Sequence, residues 1–443
     1  MHVQLEPVGG GGDPLPASAD VVIIGGGIVG ISAAFALAKR GVSVALVEKG
    51  MIGGEQSSRN WGWCRQMNRD LREVELSQRS MAIWDSLSAE TGEHLGFRRT
   101  GLVYSTGKAE DVAAWEKWGE EARQYQVETR ILTAQQTREM VPAMKGDIVG
   151  GVFSPTDGQA EPGLAAPGIA RGARRLGAHI VENCAARGLE MTAGRVSGVV
   201  TERGTIKAQS VICAGGAWAS LFMRYHGVDF PQASVRATAF RTTPARALVS
   251  GGFLGPGFAL RARDDGSFTV GLSGRGRLEI TPQGLRYAKL FWPTFQARRA
   301  GLTLGVGTSF FSGPEAFASW SLDKKTPFEK HRMLDPGPQM SLVNEALGYI
   351  NETFPALKGI GMARGWGGVI DSTPDAVPVI SALDKLPGVF LAAGFSGHGF
   401  GIGPGAGQLV AEMAIGAPTI VDPAPFRLSR FFDGSAVNKP GMI

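Results

Sequence analysis

The sequence predicts a mixed α/β fold, in which a unit with a parallel sheet wound between helices is interleaved with a second unit built on a mostly antiparallel sheet. Three observations predict it. A strand, a glycine turn and a helix follow one another from Asp20 to Ala38, and glycine-rich strand-and-turn sequence returns only far away, near Ile206–Ser220 and Gly394–Ala414. Between these segments, strand-like runs at Phe253–Arg261 and Phe268–Leu272 flank an Asp264-Asp265-Gly266 turn, the signature of a hairpin.

The first element carries the most information. Val21 to Ala38, "VVIIGGGIVGISAAFALA", is uncharged and long enough to suggest a membrane span. Three consecutive glycines, Gly25 to Gly27, would be costly within a continuous helix, so a strand, a tight turn and a helix explain the run better. The turn reads Gly25-x-Gly27-x-x-Gly30, and a second strand, "VSVALVE", ends at Glu48. In such a Rossmann-like unit Gly25 permits the turn, Gly27 lets backbone approach a pyrophosphate, and Gly30 lets helix and strand close up. An acid about twenty residues on, here Glu48, accepts hydrogen bonds from a ribose diol.

NAD and FAD sites share this pattern. In an NAD dehydrogenase the strand and helix alternation would continue directly after Glu48. Here it gives way to "GEQSSRNWGWCRQ" and a helical stretch, "LREVELSQRSMAIWDSLSAE". Nucleotide-binding elements spread over three separate segments suit a long, extended dinucleotide.

Composition narrows the function classes. With 443 residues and 43% of them apolar, the chain can bury two cores without staples. The net charge of +5 is spread along the chain rather than clustered, which argues against a nucleic-acid partner. Three cysteines, Cys64, Cys184 and Cys213, show no CxxC spacing, so neither a disulfide framework nor a structural zinc site is expected, and no metal; the cysteine usage fits a reducing, cytoplasmic compartment. The opening "MHVQLEPVGGGGDPLPASAD" lacks a basic region followed by an apolar one and reads as a flexible leader rather than a secretory signal.

Together, Gly25-x-Gly27-x-x-Gly30, Glu48, "AGGAW" at Ala214–Trp218, "STPDAVPVI" at Ser372–Ile380 and "GFSGHGF" at Gly394–Phe400 resemble the FAD-dependent D-amino-acid oxidase superfamily, which includes glycine and sarcosine oxidases. More narrowly, "EKGMIGGEQSSR", "NCAARGLEMTAGRVSGVVTERGTIK" and "TPFEKHR" resemble the bacterial flavin-dependent L-amino acid deaminases. The similarity runs from about Asp20 to beyond Phe426.

The resemblance implies a Rossmann-like FAD-binding domain from residues 18–95, 150–232 and 352–430, and a substrate-binding domain from 96–149 and 233–351. Residues 1–17 would be the leader and 431–443 a C-terminal tail. It implies FAD contacts from Gly25, Gly27, Ile28, Val29 and Gly30, from Glu48 and Lys49, and from Gln56, Ser57, Ser58, Arg59, Asn60, Trp61 and Gly62. Ala186, Ala214, Gly215, Trp218 and Gly367 join them, with Gly394, Gly397, His398, Gly399, Phe400 and Gly401. Gly62, between Trp61 and Trp63, would let the chain run close to the flavin ring. Helical sequence after His398 would aim its N-terminus at that ring and favour negative charge there.

Departures from the family pattern matter as well. The membrane-bound deaminases carry an N-terminal hydrophobic anchor that is not expected here. Monomeric sarcosine oxidases attach flavin through a cysteine shortly before the "STPD" motif; "GWGGVIDSTPD" has none, so noncovalent FAD is expected. Glycine and D-amino-acid oxidases hold the substrate carboxylate with an arginine where this chain has Ile370. Another guanidinium must then serve, since its planar fork matches a carboxylate. The candidates are Arg65 and the hairpin arginines Arg261, Arg263, Arg275 and Arg277, with the resemblance pointing to Arg275. Trp63, Arg65 and His398 are the other expected pocket residues.

The implied chemistry is oxidation of a C–N bond: hydride passes from the substrate to flavin N5, and the imine hydrolyses to a 2-oxo acid and ammonia, with oxygen or a quinone as the final electron acceptor. The substrate would be an amino acid, of L configuration by the narrower resemblance. N-substituted or D-amino acids, or a role as an electron-transferring subunit, are the alternatives. The aromatic segment between Tyr287 and Trp320 has three readings: a peripheral contact with the inner membrane, an active-site lid, or a dimer contact.

Overall fold

The strand Val21–Ile24 (β1) is buried on both faces, and its side chains alternate between two cores. Val21 and Ile23 point into one with the helix Ile28–Lys39 (α1), and Val22 and Ile24 into the other. The computed structural model describes residues 3, 5–9 and 13–435. In it, β1 is central in a six-stranded sheet ordered Val379–Ala382, Val389–Ala393, Ser210–Cys213, β1, Val44–Val47 (β2) and His179–Val181. Neighbours are parallel except at the Val379–Ala382 edge, which runs antiparallel. The three separated sequence segments therefore meet in one sheet.

Helices cover one face of that sheet. Ile28, Val29, Ser32 and Ala33 of α1 pack under the glycine-rich helix Gly399–Ala414, where a Cβ on Gly407 would come within 2.7 Å of Val29 O. The helix Leu71–Thr91 (α2) is capped by the Asp70 carboxylate, which accepts from Arg72 N, and stops at left-handed Gly92. A three-stranded meander, Ala186–Thr192, Arg195–Thr201 and Gly204–Lys207, covers the other face.

The second unit is built on a ten-stranded, largely antiparallel sheet. Its hairpin Phe258–Ala262 and Phe268–Gly271 pairs Ala262 with Phe268 across the Asp264-Asp265-Gly266 turn. Phe253, Phe258 and Phe354 form its aromatic core at centroid distances of 5.7–6.2 Å. Ala233–Thr242 pairs along its length with Met362–Ser372, which leads straight back into the first unit at Thr373. That strand pair is the seam on which the site is built.

The described residues of the expected leader are anchored rather than free. Val3 and Leu5 are buried beside Ala239 and Trp366, the Val8 N–H donates to Glu182 Oε2 (2.8 Å), and Asp13 pairs with Arg174 (2.7 Å). Residues 436–443 of the expected tail lie outside the described residues, whereas Phe431 is buried. All three cysteines are free and buried. No helix among the described residues is long and apolar enough to cross a membrane.

Candidate active site

The turn after β1 shows why glycines stand where they do. Gly25 has φ +107°, and a Cβ there would lie 2.4 Å from Ala214 O; one on Gly30 would lie 2.1 Å from Gly25 O. Gly27 is different. Its Cβ would meet only Ser57 Oγ, at 3.2 Å, so its openness faces a cleft rather than packed chain. The first helical N–H, on Ile28, donates to Ser57 Oγ (2.8 Å). Ile28 and Val29 pack inward, Ile28 beneath Gly403.

Glu48 closes the cleft's far end. Its carboxylate accepts from the Gly26 and Gly50 N–H groups, each at 2.7 Å, and burial pushes its pKa up. Lys49 Nζ lies 4.7 Å from the Trp218 ring centroid and pairs with Glu55 at 2.6 Å. Gly25, Gly27, Glu48, Ala186, Ala214, Gly215 and Trp218 all border this cleft, which encloses about 120 Å³.

The "GEQSSRN" stretch runs from this cleft into a second, larger cavity of about 600 Å³, and Gln56 borders both. Its buried Oε1 has no hydrogen-bond partner and stands 2.4 Å from where a Cβ on Gly368 would be. Backbone groups, a helix N-terminus, an acid at the far end and an orphaned acceptor at the junction fit an extended dinucleotide carrying a ring.

Other residues of the stretch have structural work. The Ser58 hydroxyl turns back to Glu55 O, and Ser58 borders neither cavity. The buried Arg59 guanidinium donates to Gly54 O and Gly367 O and pairs with Asp335 (2.8 Å). Asn60 donates to Ser57 O and accepts from the Gly62 N–H.

Gly62 corrects an expectation. Its φ is +83°, and a Cβ would meet Ala160 O at 2.5 Å and Arg261 Nε at 2.8 Å. Packed chain and a buried guanidinium therefore require this glycine, independently of any ring. Likewise Gly368 borders the large cavity while Gly367 packs against Pro336 O and Gly337 O. Gly394 (φ +79°) donates its N–H to the Asp371 carboxylate, and Gly401 lets the Gly399–Ala414 helix lie on Cys64 and Arg65. A Cβ on Gly399 would strike Phe395. Of that loop, Gly397, His398 and Phe400 border the large cavity.

One wall of the large cavity is aromatic. Trp61 and Trp63 meet edge to face at 5.1 Å, and buried Tyr104 lies 6.1 Å from Trp63. Ile370, at the position where relatives were expected to have an arginine, borders it beside Gly397. Opposite lies the helix Ala288–Arg298, none of whose residues is buried.

The hairpin arginines are mostly committed elsewhere. Arg261, 1% exposed, makes a forked contact with Glu161 (2.6 and 3.2 Å), and Arg263 shares that carboxylate at 3.2 Å. Arg277 pairs with Glu279 (3.0 Å). Arg275 borders the cavity, but its Nη2 sits 2.8 Å from both oxygens of Glu345 in a half-exposed ion pair, so its charge is already matched. The acid that occupies Arg275, the arginine to which the resemblance points, comes from the neighbouring helix Met340–Thr353.

Arg59, Arg65, Arg69, Arg275 and Arg298 line the cavity, as do the acids Glu279 and Glu315. Arg65 donates to Met67 O and Asn68 O. Arg69 donates to Arg65 O and through Nη1 and Nη2 to His398 Nδ1 and O, at 2.8 and 3.0 Å. Buried Glu73 stands 3.4 Å from the same His398 nitrogen, and burial raises its carboxyl to about 7 against the pull of Arg69. Burial, reinforced by Arg69, Arg65 and Arg298, holds His398 well below its ordinary value, so the imidazole is neutral.

Arg69, Glu73, Tyr104 and Arg298 were not among the residues the sequence suggested. Arg69 and Glu73 stand four residues apart at the start of α2, a spacing that does signal a pair, but their link to His398 spans 329 positions. Among the described residues there is no cluster of metal-ligating side chains.

The family model described as FAD dependent oxidoreductase matches residues 20–413. Sarcosine oxidase subunit beta of Arthrobacter sp is 27% identical, over 96% of this chain and 94% of that one. The mitochondrial sarcosine dehydrogenase of Homo sapiens is 27% identical over 94% of this chain, which spans 42% of that protein's length. The L-amino acid deaminase from Proteus myxofaciens, solved in complex with anthranilate, superposes with a TM-score of 0.90 at 28% identity, covering 97% of this chain and 96% of that one.

Proposed function

The chain belongs to the FAD dependent oxidoreductase family, and from that premise we propose that it oxidatively deaminates an α-amino acid with a bulky apolar side chain. The observation that carries this reading is the cavity wall of Trp61, Trp63 and Tyr104, in a space that shares Gln56 with the dinucleotide cleft. Apolar side chains gain from such a wall, and the cavity's guanidinium groups suit a carboxylate. The likeness to a deaminase that binds the aromatic carboxylate anthranilate supports it.

FAD would be held by Glu48, Ala186 and Trp218 at its adenosine end, by Gly25, Gly27 and Ser57 at the pyrophosphate, and by Gln56 and the Gly397–Phe400 loop toward its ring. When bound, it supplies the acceptor for the hydride leaving the substrate's α-carbon. The chain's own residues then position and exclude. The tryptophans and Tyr104 keep water from the reacting carbon, and His398, neutral, adds no competing positive charge beside the amine. The N-terminus of the Gly399–Ala414 helix, with His398 at its cap, favours negative charge at the cavity. The imine that leaves is hydrolysed to the 2-oxo acid and ammonia.

A second reading is favoured by the Arthrobacter relative, named as a sarcosine oxidase subunit. An N-methyl amino acid would lose its methyl group as formaldehyde. Product analysis over a panel of L-, D- and N-methyl amino acids separates the two. Ammonia and 2-oxo acid in equal amounts from L-phenylalanine or L-leucine support deamination; formaldehyde from N-methyl compounds alone would replace it.

A further inference from the structure

Five arginines border the large cavity: Arg59, Arg65, Arg69, Arg275 and Arg298. Arg59 and Arg275 pair with Asp335 and Glu345, Arg69 donates to His398 with Glu73 at 3.9 Å, and Arg65 donates to the carbonyls of Met67 and Asn68. Arg298 is half-buried and has no hydrogen-bond or ion-pair partner among the described residues. A guanidinium drawn out of water without a counter-charge is costly, and an anionic ligand in the same cavity removes that cost.

Its helix points the same way. Along Ala288–Arg298, the residues Ala288, Phe291, Phe295 and Arg298 recur at intervals of three and four, and all border the cavity together with Trp292 and Thr294. Yet no residue of this helix is buried, and Trp292 is 55% exposed. The helix's inward face thus ends in an unmatched charge, and a hydrogen bond from the Thr294 hydroxyl to Pro374 O ties it to the facing chain.

We propose that Arg298 is the anchor for the substrate's carboxylate, and that its engagement seats the Ala288–Arg298 helix over the cavity. This rests on the reading of the cavity as an amino-acid site and departs from the hairpin arginine that the sequence resemblance suggested. It gives the aromatic 287–320 segment a role in binding: the helix contributes the charge that selects α-amino acids over simple amines.

The test uses the FAD-loaded full chain as wild type, Arg298→Leu, Arg298→Lys and Arg275→Leu. Flavin bleaching by L-phenylalanine gives the half-saturating concentration, 2-phenylethylamine serves as the carboxylate-free comparison, and benzoate binding is followed by calorimetry. Hydrogen exchange of residues 288–298 is measured with and without benzoate. Arg298→Leu should weaken both L-phenylalanine and benzoate at least tenfold, with unchanged FAD content and an unchanged response to the amine. Arg298→Lys should recover part of the loss, Arg275→Leu should stay within twofold, and benzoate should slow exchange in the wild-type helix only.

An Arg298→Leu protein within twofold of wild type for both ligands overturns the proposal while leaving amino-acid oxidation intact; so does a tenfold loss confined to Arg275→Leu. A wild type that is bleached by no amino acid and binds no benzoate overturns the underlying reading and the anchor with it.

Discussion

Arg69 Nη1 lies 2.8 Å from His398 Nδ1 while its Nη2 donates to the same residue's carbonyl at 3.0 Å. A guanidinium can only donate, so Nδ1 must accept, and neutral His398 carries its proton on Nε2. Arg69 thereby fixes the tautomer of a residue at the cap of the Gly399–Ala414 helix.

Arg69→Gln removes both the fork and a charge that holds His398 neutral. FAD content should be retained and kcat should fall about tenfold, within the range typical of displaced catalytic geometry. Burial, Arg65 and Arg298 still hold His398 below its ordinary value, so the variant's acid-side decline in rate should move to higher pH than in wild type without reaching that of a free imidazole. A wild-type pH profile in Arg69→Gln would show that this pair does not control His398.

The glycines of the first turn should separate into two kinds. Gly30→Ala places a Cβ 2.1 Å from Gly25 O and should give insoluble or cofactor-free protein. Gly27→Ala meets only Ser57 Oγ, at 3.2 Å, so it should fold with a near-normal circular dichroism spectrum yet bind FAD more weakly. Equal FAD affinity in Gly27→Ala and wild type, by fluorescence titration of the apoprotein, would remove Gly27 from the cofactor cleft.

Glu73 makes stability depend on pH in a stated direction. Burial raises its carboxyl to about 7 from an ordinary 4.5, so between those values the folded state keeps a proton that the unfolded chain has lost. The contribution is present at pH 4.5 and lost as pH rises through 7. Glu73→Gln removes the effect, so its stability relative to wild type should improve from pH 5 to pH 8, by on the order of 3 kcal/mol. Thermal melts at the two pH values check this; a constant difference would contradict it.

Arg261 is a structural residue. Its fork on Glu161, with Thr269 on the remaining edge, ties the substrate-side hairpin to the segment entering the helix Pro162–Arg175. Arg261→Leu strands a buried acid with Arg263 alone and should cost roughly 3–5 kcal/mol in urea unfolding. Arg261→Met combined with Glu161→Met should recover most of it. An Arg261→Leu protein of wild-type stability with a weakened substrate response would instead return Arg261 to the pocket.

The sequence made the sheet of the first unit legible because its signals are local. Apolar strands, steric glycines and an acid at a set distance lie within Val21–Glu48, and the structure joins them in that order. The Asp264-Asp265-Gly266 hairpin was legible for the same reason. The Gly62 argument reached the right residue type for another cause, since Arg261 and Ala160 come to it from about 100 positions or more away. The pairing of Arg275 with Glu345 was not legible because nothing in its neighbourhood of the chain announces that acid, 70 residues on. Arg298 was hidden by the opposite circumstance: its distinguishing property is the absence of a hydrogen-bond or ion-pair partner among the described residues, which only the folded arrangement displays.

The most direct test of the central claim is anaerobic mixing of the FAD-loaded protein with L-phenylalanine, followed by the flavin absorbance and by ammonia released per flavin. Rapid bleaching with one ammonia per flavin, and none with the D-enantiomer, is the predicted result. Bleaching by N-methyl amino acids with formaldehyde and no ammonia, or a purified protein that holds no FAD, would contradict it.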